Sequence, residues 1–250
     1  MNLNISHTDI GSDQTVLLIH GMASESSAWD ITRKNLHFKN YNTITLDLSG
    51  HGDSPHKKYY SFNSWVGEIL DVLEEKKVSP NIIVGHSLGG LLAAGVAEET
   101  PSVERMFLID PLLHVPSQVM QFLVKKVMSR HQMTDINTLR KQHPNWSDSM
   151  LMNELVTFHK WDVTSLNALD SEAGWAIANK FLSHKGHAET FVVKPKHSFL
   201  LPVKYVDTLA SHDVDVVEVA NTGHSIHKDN PREYNMLLDK FIGSATSFCE

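Results

Sequence analysis

The stretch Asn81-Ile-Ile-Val-Gly-His-Ser-Leu-Gly-Gly-Leu-Leu-Ala-Ala94 decides the fold of this chain. It opens with a short apolar run rich in β-branched residues, which predicts a buried strand. It closes with leucines and alanines, which predict a helix packed closely against its neighbours. Between the two lies a G-x-S-x-G sequence, Gly85 to Gly89, so strand, turn and helix follow in the order that raises a serine at a sharp turn.

The spacing of this motif has a steric reason. The residues two before and two after the serine approach each other closely at such a turn, and glycine fits there because it has no Cβ. The turn exposes the Ser87 hydroxyl to a histidine on one side and a carbonyl on the other. The helix that begins at Leu88 directs its unpaired N–H groups and the positive end of its dipole to the same place. Negative charge develops there during acyl transfer.

With these elements in this order, the chain resembles an α/β-hydrolase of the single-domain esterase, lactonase and C–C hydrolase kind over nearly its whole length. The resemblance implies an α/β fold, with a mostly parallel central sheet, helices on both faces and a helical lid. Strands alternate with helices along most of the chain, which is typical of this class. We expect the core domain at residues 1–111 and 189–250. The alternation fails at 112–188, where we expect the inserted lid, with helices at 118–130, 148–160 and 172–184.

The resemblance also implies an oxyanion hole. A buried apolar run ends at His20-Gly21, and in the family this pair precedes the residue whose backbone N–H forms half of the hole. That residue is Met22 here, and the amide of Leu88 supplies the other half. Two such donors converge on a tetrahedral oxyanion, and each is worth about 3–4 kcal/mol. His20, Gly21 and His86 are expected to support this arrangement.

The catalytic base is expected near the end of the chain. Gly223-His224, followed by an acidic residue and Pro231, resembles the catalytic-histidine loop of the family. His224 is therefore the expected base, with His227 as the alternative. Pro231 is well placed as the first residue of the last helix.

The acid of the triad departs from the family pattern. In most relatives it is an Asp a few residues before a proline, but the loop 195–202 holds no Asp or Glu, and Ser198 occupies that position. Asp110 follows an earlier predicted strand, where some α/β-hydrolases carry the acid, and it keeps the chain order serine, acid, histidine. Asp47 precedes the serine and is expected to support the floor of the site. A serine–histidine dyad oriented by Ser198 or water remains open.

Bulk properties exclude several classes of protein. The 22 basic and 29 acidic residues give a net charge of −7, which argues against a nucleic-acid partner. Neither a signal peptide nor a run of membrane-spanning length is expected. The single cysteine, Cys249, cannot form an internal disulfide, which favours a cytoplasmic location. The lid histidines lack metal-binding spacing, so no metal is expected. The oligomeric state is not indicated.

The sequence therefore predicts a serine hydrolase that cleaves a small carboxylic ester or lactone through an acyl-enzyme on Ser87, without a cofactor. Two alternatives remain open. A C–C bond hydrolase or related lyase needs a basic side chain for a substrate carboxylate, and Lys125, Lys126 and Arg130 are candidates. A non-catalytic ligand receptor on the same fold is kept open by the acid missing from its usual loop. Dehalogenase chemistry is disfavoured because the nucleophile is not an aspartate.

Overall fold

A computed structural model describes residues 3–113, 124–125, 127–130, 132–170, 172–183 and 186–243. Seven strands form one sheet in the order β1-β3-β2-β4-β5-β6-β7. They are β1 (Ile5–Thr8), β2 (Thr15–Ile19), β3 (Asn42–Leu46), β4 (Ile82–His86), β5 (Arg105–Ile109), β6 (Glu189–Pro195) and β7 (Asp215–Val219). Only β1 of these strands runs antiparallel to its neighbour, β3. The predicted α/β class with a mostly parallel sheet is confirmed.

Helices cover both faces of this sheet. The described α-helices are α1 (Asp30–Phe38), α2 (Phe62–Lys76), α3 (Leu88–Glu99), α4 (Ile136–Gln142), α5 (Asp148–Lys160), α6 (Glu172–Ser183), α7 (Val203–Ser211), α8 (Ile226–Asp229) and α9 (Pro231–Gly243). Helices α1 and α9 pack on one face, and α2, α3, α6 and α7 pack on the other. Two 3₁₀ segments, Ser26–Trp29 and Val163–Asp170, complete the described elements.

The central strands are buried on both faces, which explains their continuous apolar runs. In β2, Leu17 and Ile19 belong to the core under α2 and α3, whereas Val16 and Leu18 belong to the core under α1 and α9. An all-parallel core requires such strands because helices cover both sides. The carboxyl ends of β2, β4 and β5 consequently meet at one edge of the sheet, which is where α/β folds bind ligands.

Several elements differ from the expectations. Strand β1 and helix α4 were not predicted, because β1 is a short edge strand and α4 has only seven residues. Helix α5 spans the predicted range 148–160, and α6 ends at Ser183. Most of the predicted helix 118–130 lies outside the described residues, although 124–125 and 127–130 are helical. Between β5 and β6 the described residues form helices and turns without a strand; the division into core and lid stays a prediction.

Candidate active site

Ser87 lies at the turn between β4 and α3 with a strained backbone. Its φ of 53° and ψ of −114° place it in a region that L-residues rarely adopt. The two motif glycines allow this turn. A Cβ on Gly85 would lie 2.4 Å from the carbonyl oxygen of Gly89, and a Cβ on Gly89 would lie 2.1 Å from that of Ile19. Ser87 can therefore lie at this sharp turn at the carboxyl end of β4 because the residues two before and two after it carry no side chains.

Asp110 and His224 are joined directly. Asp110 follows β5, the neighbour of the nucleophile strand, and its Oδ2 atom lies 2.6 Å from His224 Nδ1. The carboxylate is 2% exposed, and a φ of 40° holds its backbone in the left-handed region. Because the carboxylate accepts the Nδ1 proton, the neutral ring carries its lone pair on Nε2. That nitrogen has no hydrogen-bond partner among the described residues, and His224 lines the same cavity as Ser87.

Ser198 holds the second oxygen of the Asp110 carboxylate. Its hydroxyl donates to Asp110 Oδ1 at 2.5 Å and accepts from the amides of Leu200 and Leu201 at 3.1 and 2.9 Å. Ser198, the residue at the usual acid position, thus contacts the Asp110 carboxylate, which directly follows β5. Because both carboxylate oxygens have a donor, the orientation of Asp110 toward His224 is fixed.

The amides of Met22 and Leu88 have no main-chain acceptor among the described residues. Leu88 is the first residue of α3, so its N–H has no acceptor within the helix, and the Met22 amide has no acceptor among the described residues. The Met22 side chain lines the cavity, and its Sδ atom accepts a hydrogen bond of 3.4 Å from Ser165 in the 3₁₀ segment. A Cβ on Gly21 would lie 3.1 Å from the Ser87 Cβ, so this loop passes close to the serine.

Buried imidazoles pack behind His224. His86 Nε2 donates to the His224 carbonyl at 3.0 Å, and the two ring centroids are 4.6 Å apart. His227 packs 4.8 Å from His86 and stacks on Trp29 at 4.9 Å. Burial lowers the pKa of both His86 and His227 well below the ordinary value, so both rings are neutral. His227, the alternative base, does not line the cavity and lies behind His224.

His20 and Asp47 support the loops under the site. His20 Nδ1 donates to the Gly21 carbonyl at 2.8 Å, and its Nε2 accepts from the Leu48 amide at 3.0 Å. Asp47 accepts from the Ser26 amide at 2.7 Å and from two further donors. Burial opposes ionisation of Asp47, but His20 and these hydrogen bonds lower its pKa overall. Asp47 does not line the cavity, and its hydrogen bonds hold the surrounding loops in place.

A cavity of about 230 Å³ connects these groups. Ligand cavities span roughly 300–1,000 Å³, so this one suits a small molecule. Its described lining combines the reacting groups with apolar and rim side chains: Met22, Ser87, Asp110, Leu112, Val127, Arg130, Leu166, Leu169, Pro195, His197, Phe199, Leu200, Gly223 and His224. The sequence did not single out Leu166 and Leu169, because a 3₁₀ segment shows no helical or strand periodicity.

The described residues contain neither a candidate metal-binding cluster nor a candidate membrane-spanning helix. No group of three or more His, Cys, Asp or Glu side chains lies close enough together there to hold a metal ion. In the same part of the chain, no helix is both long and apolar enough to cross a membrane.

Comparisons with known proteins agree with this fold. A serine hydrolase-like protein from Dictyostelium discoideum is 28% identical over 154 residues, which cover 60% of this chain and 42% of that protein. The sn-1-specific diacylglycerol lipase of Mus musculus is 22% identical over 266 residues, covering 96% of this chain and 85% of the lipase. An esterase structure from Exiguobacterium antarcticum superposes with a TM-score of 0.77 at 16% identity, covering 97% of this chain and 96% of the esterase.

The family model described as the alpha/beta hydrolase family matches residues 16–237, which include strands β3 to β7 and all of β2 except its first residue. The match spans the nucleophile turn, the Asp110 strand end and the His224 loop. The chain therefore belongs to the alpha/beta hydrolase family.

Proposed function

We propose that this protein is a serine hydrolase that cleaves a small carboxylic ester or lactone. The observation that carries the proposal is the 2.6 Å contact between Asp110 Oδ2 and His224 Nδ1 in the cavity that Ser87 lines. It supplies the acid that the usual loop lacks, and it leaves His224 Nε2 as the proton acceptor. The names of the mouse lipase and the bacterial esterase support an ester substrate.

In the proposed reaction, the Ser87 hydroxyl attacks the substrate carbonyl while His224 Nε2 takes its proton. The amides of Met22 and Leu88 stabilise the tetrahedral oxyanion. The histidinium, stabilised by Asp110, protonates the leaving alcohol as the acyl-enzyme forms. Water then loses a proton to the same histidine and attacks the acyl carbonyl. The bond between the acyl carbon and Ser87 Oγ breaks, the serine oxygen takes the proton back from the histidinium, and the carboxylic acid is released. This scheme uses no metal or organic cofactor.

The decisive experiment compares hydrolysis of 4-nitrophenyl acetate by the wild type, Ser87→Ala and Asp110→Asn. We expect no turnover above background for Ser87→Ala and a fall in kcat of up to about four orders of magnitude for Asp110→Asn, because the neutral amide no longer fixes the tautomer. A kcat for Asp110→Asn equal to that of the wild type would contradict the assigned acid. Asp53→Asn is the control, because its exposed carboxylate does not line the cavity.

Labelling with a fluorophosphonate separates this proposal from the non-catalytic receptor. We expect the probe to label the wild type at Ser87 and to leave Ser87→Ala unlabelled, because only an activated serine reacts quickly with it. A wild type that neither reacts with the probe nor turns over the ester would favour the receptor. The cytoplasmic location stays a prediction, since Cys249 lies outside the described residues.

A further inference from the structure

Arg130 lines the candidate active-site cavity and brings a positive charge to it. Of the described lining residues, only Arg130 carries a positive charge that does not depend on protonation near neutral pH. His197, the other described lining residue that can become cationic besides His224, is exposed at the rim. Lys125, a helical residue five positions before Arg130, is exposed and does not line the cavity.

Arg130 is anchored but has no ionic partner in the described chain. Its guanidinium carbon lies 5.7 Å from the centre of the Phe158 ring, and Phe158 is buried in α5. Among the described residues, no carboxylate lies within ion-pair distance of the guanidinium. The one carboxylate in the described lining, Asp110, already binds His224 and Ser198. Within the described part of the chain, no side chain or carbonyl takes up the five N–H donors of the Arg130 guanidinium, so they can serve a ligand.

The rest of the lining explains what such a ligand looks like. Leu112, Val127, Leu166 and Leu169 supply apolar walls, so the body of the substrate is apolar. A net charge of −7 gives the protein no general attraction for anions, so an anionic substrate needs a local cation. A guanidinium matches the two oxygens of a carboxylate with two parallel hydrogen bonds. A carboxylate carries one negative charge, which one guanidinium balances.

We propose that Arg130 binds a carboxylate group of the substrate. The preferred substrate is then an ester with an apolar chain and a carboxylate at a distance from the scissile bond. The proposal rests on the serine hydrolase function above and names its substrate class. Arg130 acts here as a specificity-determining residue that contacts the substrate and not the reacting atoms. A merely structural role, packing on Phe158, would change stability without changing the preference for charge.

The kinetic test compares two esters of equal chain length, 4-nitrophenyl hydrogen adipate and 4-nitrophenyl hexanoate. In Arg130→Gln we expect kcat/KM for the anionic ester to fall at least about tenfold, which corresponds to about 1.4 kcal/mol, with the loss mainly in KM. We expect a change of less than about threefold for the neutral ester. Arg130→Lys should retain part of the preference, because it keeps the charge but loses the paired donors. Lys125→Gln is the matched control and should behave as the wild type.

A binding test keeps the two proposals distinguishable. Calorimetric titration of hexanoate and hexanamide into Ser87→Ala requires no turnover. We expect hexanoate to bind more tightly than hexanamide and the difference to disappear in the variant that also carries Arg130→Gln. If Arg130→Gln weakens both esters equally, or leaves hexanoate binding unchanged, the carboxylate proposal is wrong even when Ser87-dependent hydrolysis stands. If hexanoate binding depends on Arg130 but no ester is cleaved, the hydrolase proposal is the one that fails.

Discussion

Replacing His227 by phenylalanine should flatten the dependence of stability on pH. The His227 ring is 4% exposed and stacks on Trp29, and neither ring nitrogen has a hydrogen-bond partner among the described residues. Phenylalanine keeps the planar shape and removes two buried polar atoms without partners. Such a replacement is close to neutral or stabilising at neutral pH.

The magnitude follows from proton linkage. Burial lowers the pKa of His51 to about 3 and holds the pKa of His86 and His227 well below the ordinary value, whereas a histidine in the unfolded chain titrates near about 6.5. Below that pH the unfolded state binds more protons, so the stability present at neutral pH is lost as the pH falls toward the folded-state pKa. When the pH falls from about 7.5 to 5.5, each such histidine lowers the free energy of unfolding by roughly 1–1.5 kcal/mol, and the three together lower it by roughly 3–4.5 kcal/mol.

Urea unfolding followed by circular dichroism at those two pH values measures the effect, and it avoids the fluorescence of Trp29. We expect the difference in unfolding free energy between the two pH values to be smaller by roughly 1–1.5 kcal/mol in His227→Phe than in the wild type. An exposed histidine on α1, His37, provides the control through His37→Gln, which should retain the wild-type difference. An unchanged difference in His227→Phe would refute the reasoning, because it would mean that the ring is charged in the folded protein.

Two further substitutions test the positioning of the site. In Ser198→Ala we expect kcat for 4-nitrophenyl acetate to fall about tenfold, because Asp110 loses a charged hydrogen bond worth about 1.5–3 kcal/mol. Steady-state kinetics measures this change, and a kcat equal to that of the wild type would contradict the expectation. In Gly89→Ala we expect about 2 kcal/mol or more of destabilisation in urea unfolding, because the new Cβ would lie 2.1 Å from the Ile19 carbonyl oxygen. Gly67→Ala is its control: a Cβ there meets nothing within 4 Å, and α2 should gain about 0.5–1 kcal/mol. Equal effects of the two glycine substitutions would count against the close approach at the nucleophile turn.

The sequence predicts the parallel sheet because its central strands are continuous apolar runs separated by helices. Strand β1 could not be found in the same way, since its exposed edge position leaves it half-buried and without a clear apolar pattern. Helix α4 is similarly short and has one fully buried residue, Leu139. Short elements at an edge or in an insertion depend on tertiary contacts that a sequence pattern does not contain.

The candidate site likewise has residues that the sequence predicts and a contact that it does not predict. Ser87 and His224 stand in motifs whose spacing reflects local geometry, so the sequence alone proposes them, and chain order proposes Asp110. The relation between Asp110 and Ser198 is different, because it joins two loops through one hydroxyl group. From the sequence alone, Ser198 is only a position where the usual acid is missing. The structure shows what this serine does, because its hydroxyl donates a hydrogen bond to Asp110.

The position of Asp110, the proposed acid, directly after β5 has a consequence for how this site can change. The Ser87 amide donates to the Ile109 carbonyl at 2.9 Å, and the Leu112 amide donates to the Ser87 carbonyl at 2.9 Å. The proposed nucleophile and the backbone on both sides of the proposed acid are thus joined by main-chain hydrogen bonds that do not depend on side chains. In the loop 195–202, Ser198 and the amides that it binds are needed to hold Asp110, but His197 and Phe199 line the cavity without contributing to these bonds. Substitutions at these two positions can therefore change the lining of the cavity while Asp110 keeps its contacts.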